Sequence, residues 1–192
     1  MNKLSVQRGF TLIEMMVAVS IFAIVMLIGV GALFSLVQAN ERAQAINSVM
    51  NNLNAALEDM SRSIRVGTTY HCQTSPNPPS PLLLLNTPQD CPSGGGLLLA
   101  FEPSGAGSSD PREVYRLDGT QLERSLDGGG TWVAMTAPEV TITRFSFYVT
   151  GSTEGDTTQP RVLMTIQGSA KTPGGVTTFS VQASVVQRIL DI

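Results

Sequence analysis

Arg8-Gly9-Phe10-Thr11-Leu12-Ile13-Glu14-Met15-Met16 opens an apolar run that continues to Val37, and the rest of the chain is read outward from it. A short basic leader carrying Lys3 and Arg8 ends at Gly9, and Glu14 is the only formal charge between Phe10 and Val37. As a helix rising ~1.5 Å per residue this run would measure about 42 Å, more than the ~30 Å hydrocarbon core of a bilayer. A carboxylate inside such a span costs about 2.5–3.5 kcal/mol on insertion scales. A compensating interaction must offset that cost, so Glu14 is a candidate functional residue. The run is too long for the apolar core of a secretory signal, about 7–15 residues. The helical pattern also passes straight through Val37-Gln38-Ala39, a tripeptide that otherwise resembles a cleavage site.

Beyond Val37 the pattern changes from uniformly apolar to amphipathic. Ile46, Met50, Leu53, Leu57, Met60 and Ile64 recur at alternating steps of four and three, a single stripe on one helix face. Glu41, Arg42, Asn47, Asn51, Glu58, Asp59 and Arg62 take the other positions, and no proline interrupts Phe10 to Arg65. Gly29 and Gly31 are the weak points of this helix, each costing about 1 kcal/mol relative to alanine. The stripe suits a coiled-coil seam or stalk, but the strands that follow need a cover, so docking against a sheet is expected.

With these residues in view, the N-terminus resembles the type IV pilin and type II secretion pseudopilin family: a basic leader, Gly9, then Phe10-Thr11-Leu12-Ile13-Glu14 and a long apolar helix. The resemblance implies that a prepilin peptidase cuts between Gly9 and Phe10 and that the new terminus at Phe10 is N-methylated. It also implies that the Glu14 carboxylate meets the Phe10 amine of a neighbouring subunit during assembly. An opposite charge stabilises a carboxylate in a low-dielectric setting, which makes that pairing physically reasonable. The implied partners are the prepilin peptidase, other pilin or pseudopilin subunits, an inner-membrane assembly platform, and membrane lipid before assembly. In the family a helix breaker is common near the position of Gly29–Gly31, implying local melting there in a filament.

Gly67 is expected to end the helix. The polar, proline-rich stretch Thr68 to Ser80 reads as loop, Leu82 to Leu85 as a short strand or buried loop, and Leu97 to Phe101 as a buried strand. Glu113–Leu117 and Thr120–Arg124 flank Asp118-Gly119, a hairpin signal. Asp127 to Gly130 is a turn, followed by a strand over Thr131 to Met135. Phe145, Phe147 and Val149 alternate with polar residues, as do Val162, Met164 and Ile166, while Phe179, Val181, Ala183 and Val185 share one face of a last strand. Val140 and Ile142 have the opposite parity from Phe145, which predicts a bulge near Thr143–Arg144.

The expected class is α+β: a long helix, then an antiparallel sheet. The division is a leader over 1–9, a membrane or filament-core helix over 10–37, an amphipathic helix over 38–66, a variable loop region with short strands over 67–112, and a sheet domain over 113–192. This order matches the pilin fold. Tyr115 to Arg124 followed by a Val140–Tyr148 strand is similar to W-type minor pilins and J-type minor pseudopilins.

The two cysteines, Cys72 and Cys91, lie in the segment placed outside the cytoplasm, where a disulfide is favoured and would contribute about 3 kcal/mol by loop closure. Two free thiols are the alternative in a reducing compartment. A metal site with His71 lacks a fourth ligand, and adjacent ligands strain the geometry. His71 is the only histidine and reads as an exposed loop residue, so a catalytic triad has little to build on. The glycines at 94–96 and 128–130 lack the Lys-Ser/Thr of a phosphate loop. No cofactor is implied, and the protein is not expected to be an enzyme. Trp132, the lone tryptophan, reads as core or as a subunit contact.

Charge limits the partners. The chain carries 12 basic and 15 acidic residues, net −3. From Val66 onward seven basic residues face eleven acidic ones. No nucleic-acid partner is expected, although Arg112, Arg116 and Arg124 would be the residues of any local DNA patch. Basic residues before the span, and none after it until Arg42, favour a cytoplasmic N-terminus in the inner membrane with the C-terminal domain outside. The function expected is that of a minor pilin or pseudopilin subunit; the alternative is a pilus-associated adhesin or DNA-uptake subunit on the same scaffold.

Overall fold

With no proline to interrupt it and strong helix formers at most positions, the chain from Leu12 to Val66 forms one helix, α1. It passes through Gly29 and Gly31 unbroken. The computed structural model describes residues 9–80, 82–107, 109–153, 155, 158–172 and 175–189. The leader residues Lys3 and Arg8 lie outside the described residues. The chain divides into two compact units, Met1–Ala43 and Gln44–Ile192.

In the second unit, α1 packs against antiparallel sheets, an α+β pilin-like fold. Leu53, Leu57, Met60 and Ile64 of the expected stripe are buried, joined by Ala56. Ile46 and Met50, nearer the start of the stripe, are only half-buried. Each fully buried aliphatic side chain contributes about 1.5–3 kcal/mol. They share one core with Tyr70, Leu99, Phe101, Tyr115, Phe145, Phe147, Met164 and Ile166.

The strands form two sheets, where the sequence suggested one. The first holds β1 (Thr68–Gln73), β2 (Leu98–Glu102), β3 (Glu113–Asp118), β4 (Gln121–Ser125) and β5 (Val133–Ala134) in that spatial order; the second holds β6 (Val140–Thr150), β7 (Arg161–Thr172) and β8 (Gly175–Val186). Gly96 joins them, exchanging both backbone hydrogen bonds with Phe147 at 2.8 Å. A Cβ on Gly96 would lie 2.3 Å from the Cys72 sulfur and 2.8 Å from the Gln73 carbonyl oxygen, so only glycine fits this seam. The Ile142 N–H reaches the Thr120 carbonyl at 2.9 Å nearby.

The bulge expected near Thr143–Arg144 is present: Ile142 pairs with Gly168 and Arg144 with Gln167, leaving Thr143 extra. The β3–β4 hairpin forms one step later than the Asp-Gly signal implied. Asp118 pairs with Gln121, so Gly119 (φ 55°) and Thr120 make the loop. Other readings need correction. Thr68 to Gln73 is not loop but β1, paired with β2. Leu82–Asn86 is a short 3-10 helix in which only Leu85 is buried. The strand expected over Thr131 to Met135 shrinks to Val133–Ala134.

The end of α1 is held by distant residues. The Tyr70 hydroxyl lies 2.6 Å from the Ile64 carbonyl oxygen and 2.8 Å from that of Gly67, and the Arg188 N–H donates to the Arg65 carbonyl at 2.8 Å. These groups satisfy carbonyls that the helix terminus leaves without intrahelical partners. Gly67 does end the helix, but through space rather than through a left-handed turn. A Cβ there would lie 2.3 Å from the Phe101 ring, while the positive φ belongs to Thr69 (52°).

Candidate processing and assembly site

Gly9 and Phe10 precede the helix in non-helical, exposed backbone, with Phe10 79% exposed. Thr11 then starts α1. Its hydroxyl accepts the Glu14 N–H at 3.3 Å, and its carbonyl accepts the Met15 N–H at 3.2 Å. Thr11 is thus the N-cap and Glu14 the third residue of the first turn, the Thr-x-x-Glu arrangement of a capping box. The sequence reading singled out Glu14 but missed the role of Thr11; the Thr-x-x-Glu spacing before an apolar run was the available signal. A carboxylate in the first turn also interacts favourably with the helix dipole. Among the described residues no basic side chain pairs with Glu14.

The bond between Gly9 and Phe10 therefore lies ahead of the helix, outside its hydrogen bonding. Downstream, the large apolar side chains from Leu12 to Val37 are exposed, and the most apolar window of α1 has a mean hydropathy of 2.7. Length and composition suffice to cross a membrane.

Cys72 of β1 and Cys91 are joined in a disulfide. The bridge lies next to Gly96, and the Cys91 N–H donates to the Val149 carbonyl at 3.2 Å. The segment between the two sheets is thereby tied to both. His71 is buried rather than exposed as expected. Its Nδ1 lies 2.8 Å from the Thr87 carbonyl oxygen, which requires Nδ1–H to donate. Among the described residues no group of three or more His, Cys, Asp or Glu is placed to hold a metal ion.

The three arginines considered for a DNA patch are engaged within the domain. Arg112 is buried and ion-paired with Glu102. Arg116 pairs with Glu123 at 2.8 Å and Asp118 at 3.3 Å, and its guanidinium sits 3.8 Å over the half-buried Trp132 ring. Arg124 bridges Asp59 of α1 at 3.0 Å and Glu113 at 2.8 Å. This last group forms a polar clip between the helix and the first sheet. Burial, then the neighbouring Glu113 carboxylate, push the Tyr115 phenol well above its ordinary range. Asp127 is held well below the usual carboxylate range by hydrogen bonds from the side chains of Thr131 and Ser125 and the backbone of Thr131 and Gly130. Its carboxylate closes the turn expected there.

The long helix packed on antiparallel sheets defines a pilin-like fold, and the N-terminus adds a second, independent observation. Residues 4–30 match the family model described as the prokaryotic N-terminal methylation motif. The chain is thus prepilin-like, with a methylation motif that spans the Gly9–Phe10 junction, Thr11 and Glu14. No curated protein and no solved structure matches the chain.

Proposed function

We propose that this chain is a minor pilin or pseudopilin, a structural subunit of a type IV pilus or of a type II secretion pseudopilus. Prepilin peptidase cuts between Gly9 and Phe10 on the cytoplasmic side, and Phe10 is N-methylated. The subunit waits in the inner membrane with its C-terminal domain outside. The assembly platform then draws it into the filament, where Glu14 meets the Phe10 amine of a neighbouring subunit. The observation that carries this reading is the methylation motif leading straight into an exposed apolar helix. Glu14 lacks a basic partner among the described residues, which is what an intersubunit pairing requires. The Tyr115–Arg124 hairpin and the long β6 strand support likeness to the W-type minor pilins and J-type minor pseudopilins. A loop-rich domain also suits a minor subunit better than a densely repeated one.

An adhesin on the same scaffold is the second reading, and the exposed Leu82, Leu83 and Leu84 favour it. The DNA-uptake version is weakened by the ion pairs of Arg112, Arg116 and Arg124.

The test is intact mass and N-terminal sequencing of membrane-extracted protein from cells with and without prepilin peptidase. The expected product begins at N-methyl-Phe10 only when the peptidase is present. A chain still beginning at Met1 in its presence, or cut after Ala39, would overturn the proposal.

A further inference from the structure

β8, Gly175–Val186, is an outer strand of the second sheet, and it contains no Asp, Glu, Lys or Arg. Exposed edge strands are usually guarded by charge, proline or a covering segment, because their unpaired amides template pairing with another chain. The other edges are short or covered. β6 is joined to the first sheet through Gly96 and Thr120, β1 is bonded to Gln89 through Tyr70 and Cys72, and β5 has two residues. Among the described residues, β8 is the long edge with neither guard.

The register identifies which groups are free. Phe147 directs both its N–H and its C=O to Gly96, away from β7. Hydrogen-bonding direction alternates along a strand, so Ser146 and Tyr148 face β7, where they pair with Thr165 and Leu163. Met164 and Ile166 of β7 therefore face β8, bonding Ala183 and Val181. It follows that Thr178, Ser180, Gln182 and Ser184 point their backbone groups outward from the sheet. The same strand places Phe179, Val181 and Ala183 on the core face, but only half-buried, at the margin of the core. An added strand would therefore set apolar residues beside these three and polar residues on the solvent-facing side.

β8 itself meets that description. We propose that the β8 edge is a self-association surface, pairing antiparallel with β8 of a second copy of this chain. With the twofold at Val181, that residue faces Val181 of the second copy and only Gly175 of each strand is left without a partner. Phe179 then faces Ala183, a large side chain against a small one, and Ser180 faces Gln182. The absence of charge means that a strand meeting its own sequence incurs no like-charge repulsion. The proposal goes beyond the filament reading and stands independently of prepilin processing.

The test uses the full chain extracted in detergent. The described cysteines are both bonded, so Val181→Cys introduces a single new thiol at the twofold. Non-hydrogen-bonded antiparallel partners lie ~4.5 Å apart at Cα, within disulfide reach. Mild oxidation is expected to give a covalent homodimer with Val181→Cys and little with Val176→Cys, whose partner in this register is Val186. Gln182→Pro removes an outward N–H and leaves the β7 ladder intact; by losing one bond in each copy it should weaken self-association about 30-fold. If that variant does not fold, Ser180→Lys with Gln182→Lys sets like charges opposite each other on the solvent face and should likewise weaken the dimer. Absence of the Val181→Cys dimer would overturn the proposal. So would equal cross-linking at Val176→Cys, indifference to the edge substitutions, or cross-linking to a different protein alone.

Discussion

The two halves of α1 share one unbroken helical backbone and differ in how their apolar residues are distributed around it. From Leu12 to Val37 apolar residues occupy nearly every position and are exposed. From Gln44 to Val66 apolar residues form one stripe, and the sheets of the same chain bury it at Leu53, Leu57, Met60 and Ile64. A helix that is apolar all round calls for an apolar solvent or other helices, whereas an amphipathic one calls for a single partner face. Only the second half finds its partner within the domain. The lesson is that hydrophobicity alone does not place a helix; its angular distribution does.

Substituting the same charge into each half gives the sharpest test of this contrast. Met60 is wholly buried. Met60→Lys should cost more than about 4 kcal/mol and abolish cooperative thermal unfolding of the domain, because the ammonium has no partner there. Val25→Lys should leave that unfolding transition in place but reduce membrane insertion, at a cost of about 2.5–3.5 kcal/mol at mid-span. Matching outcomes for the two variants in either assay would break the distinction.

Next in size, Cys72→Ser with Cys91→Ser should destabilise the domain by about 3 kcal/mol in denaturant titration. Membrane extraction of the first half should not change. A smaller effect is expected at high pH. The Tyr115 phenol holds its proton more tightly folded than unfolded, so its contribution is complete below about pH 10, the ordinary phenol value. It is lost as pH rises beyond that, with a slope of at most about 1.4 kcal/mol per pH unit. Tyr115→Phe should flatten the alkaline limb of a stability–pH curve. Finally, Thr11→Ala should cost about 1 kcal/mol of helix stability at the N-terminus. Amide exchange would detect it near Glu14, with no change in the domain.

Where the pattern was carried by local periodicity, sequence and structure agree. The stripe from Leu53 to Ile64, the alternation through Phe145 and Met164, and the bulge at Thr143 follow from which side each residue must face. Strand β1 was illegible because Thr68-Thr69-Tyr70-His71-Cys72-Gln73 has no clean alternation and runs into prolines. It is a strand through distant partners: β2, the Gln89 backbone and the bridge to Cys91. The joining of the two sheets is equally non-local, since it runs through the close approach of Gly96 to Phe147 and of Thr120 to Ile142. At the N-terminus the residues that define the motif were legible in the sequence. The cap at Thr11 was less legible, because its hydroxyl and carbonyl act only once the chain turns into the helix at Leu12.

The clasp on the last turn of α1 has a consequence for biosynthesis. The helix is translated early, but the groups that bond its final carbonyls come from Tyr70 and Arg188, and the ring beside Gly67 comes from Phe101. The Arg65 carbonyl therefore lacks this partner until Arg188 has been translated. Completion of the domain is thus timed by the arrival of its late residues, and a chain halted before them would carry a finished helix with an open last turn.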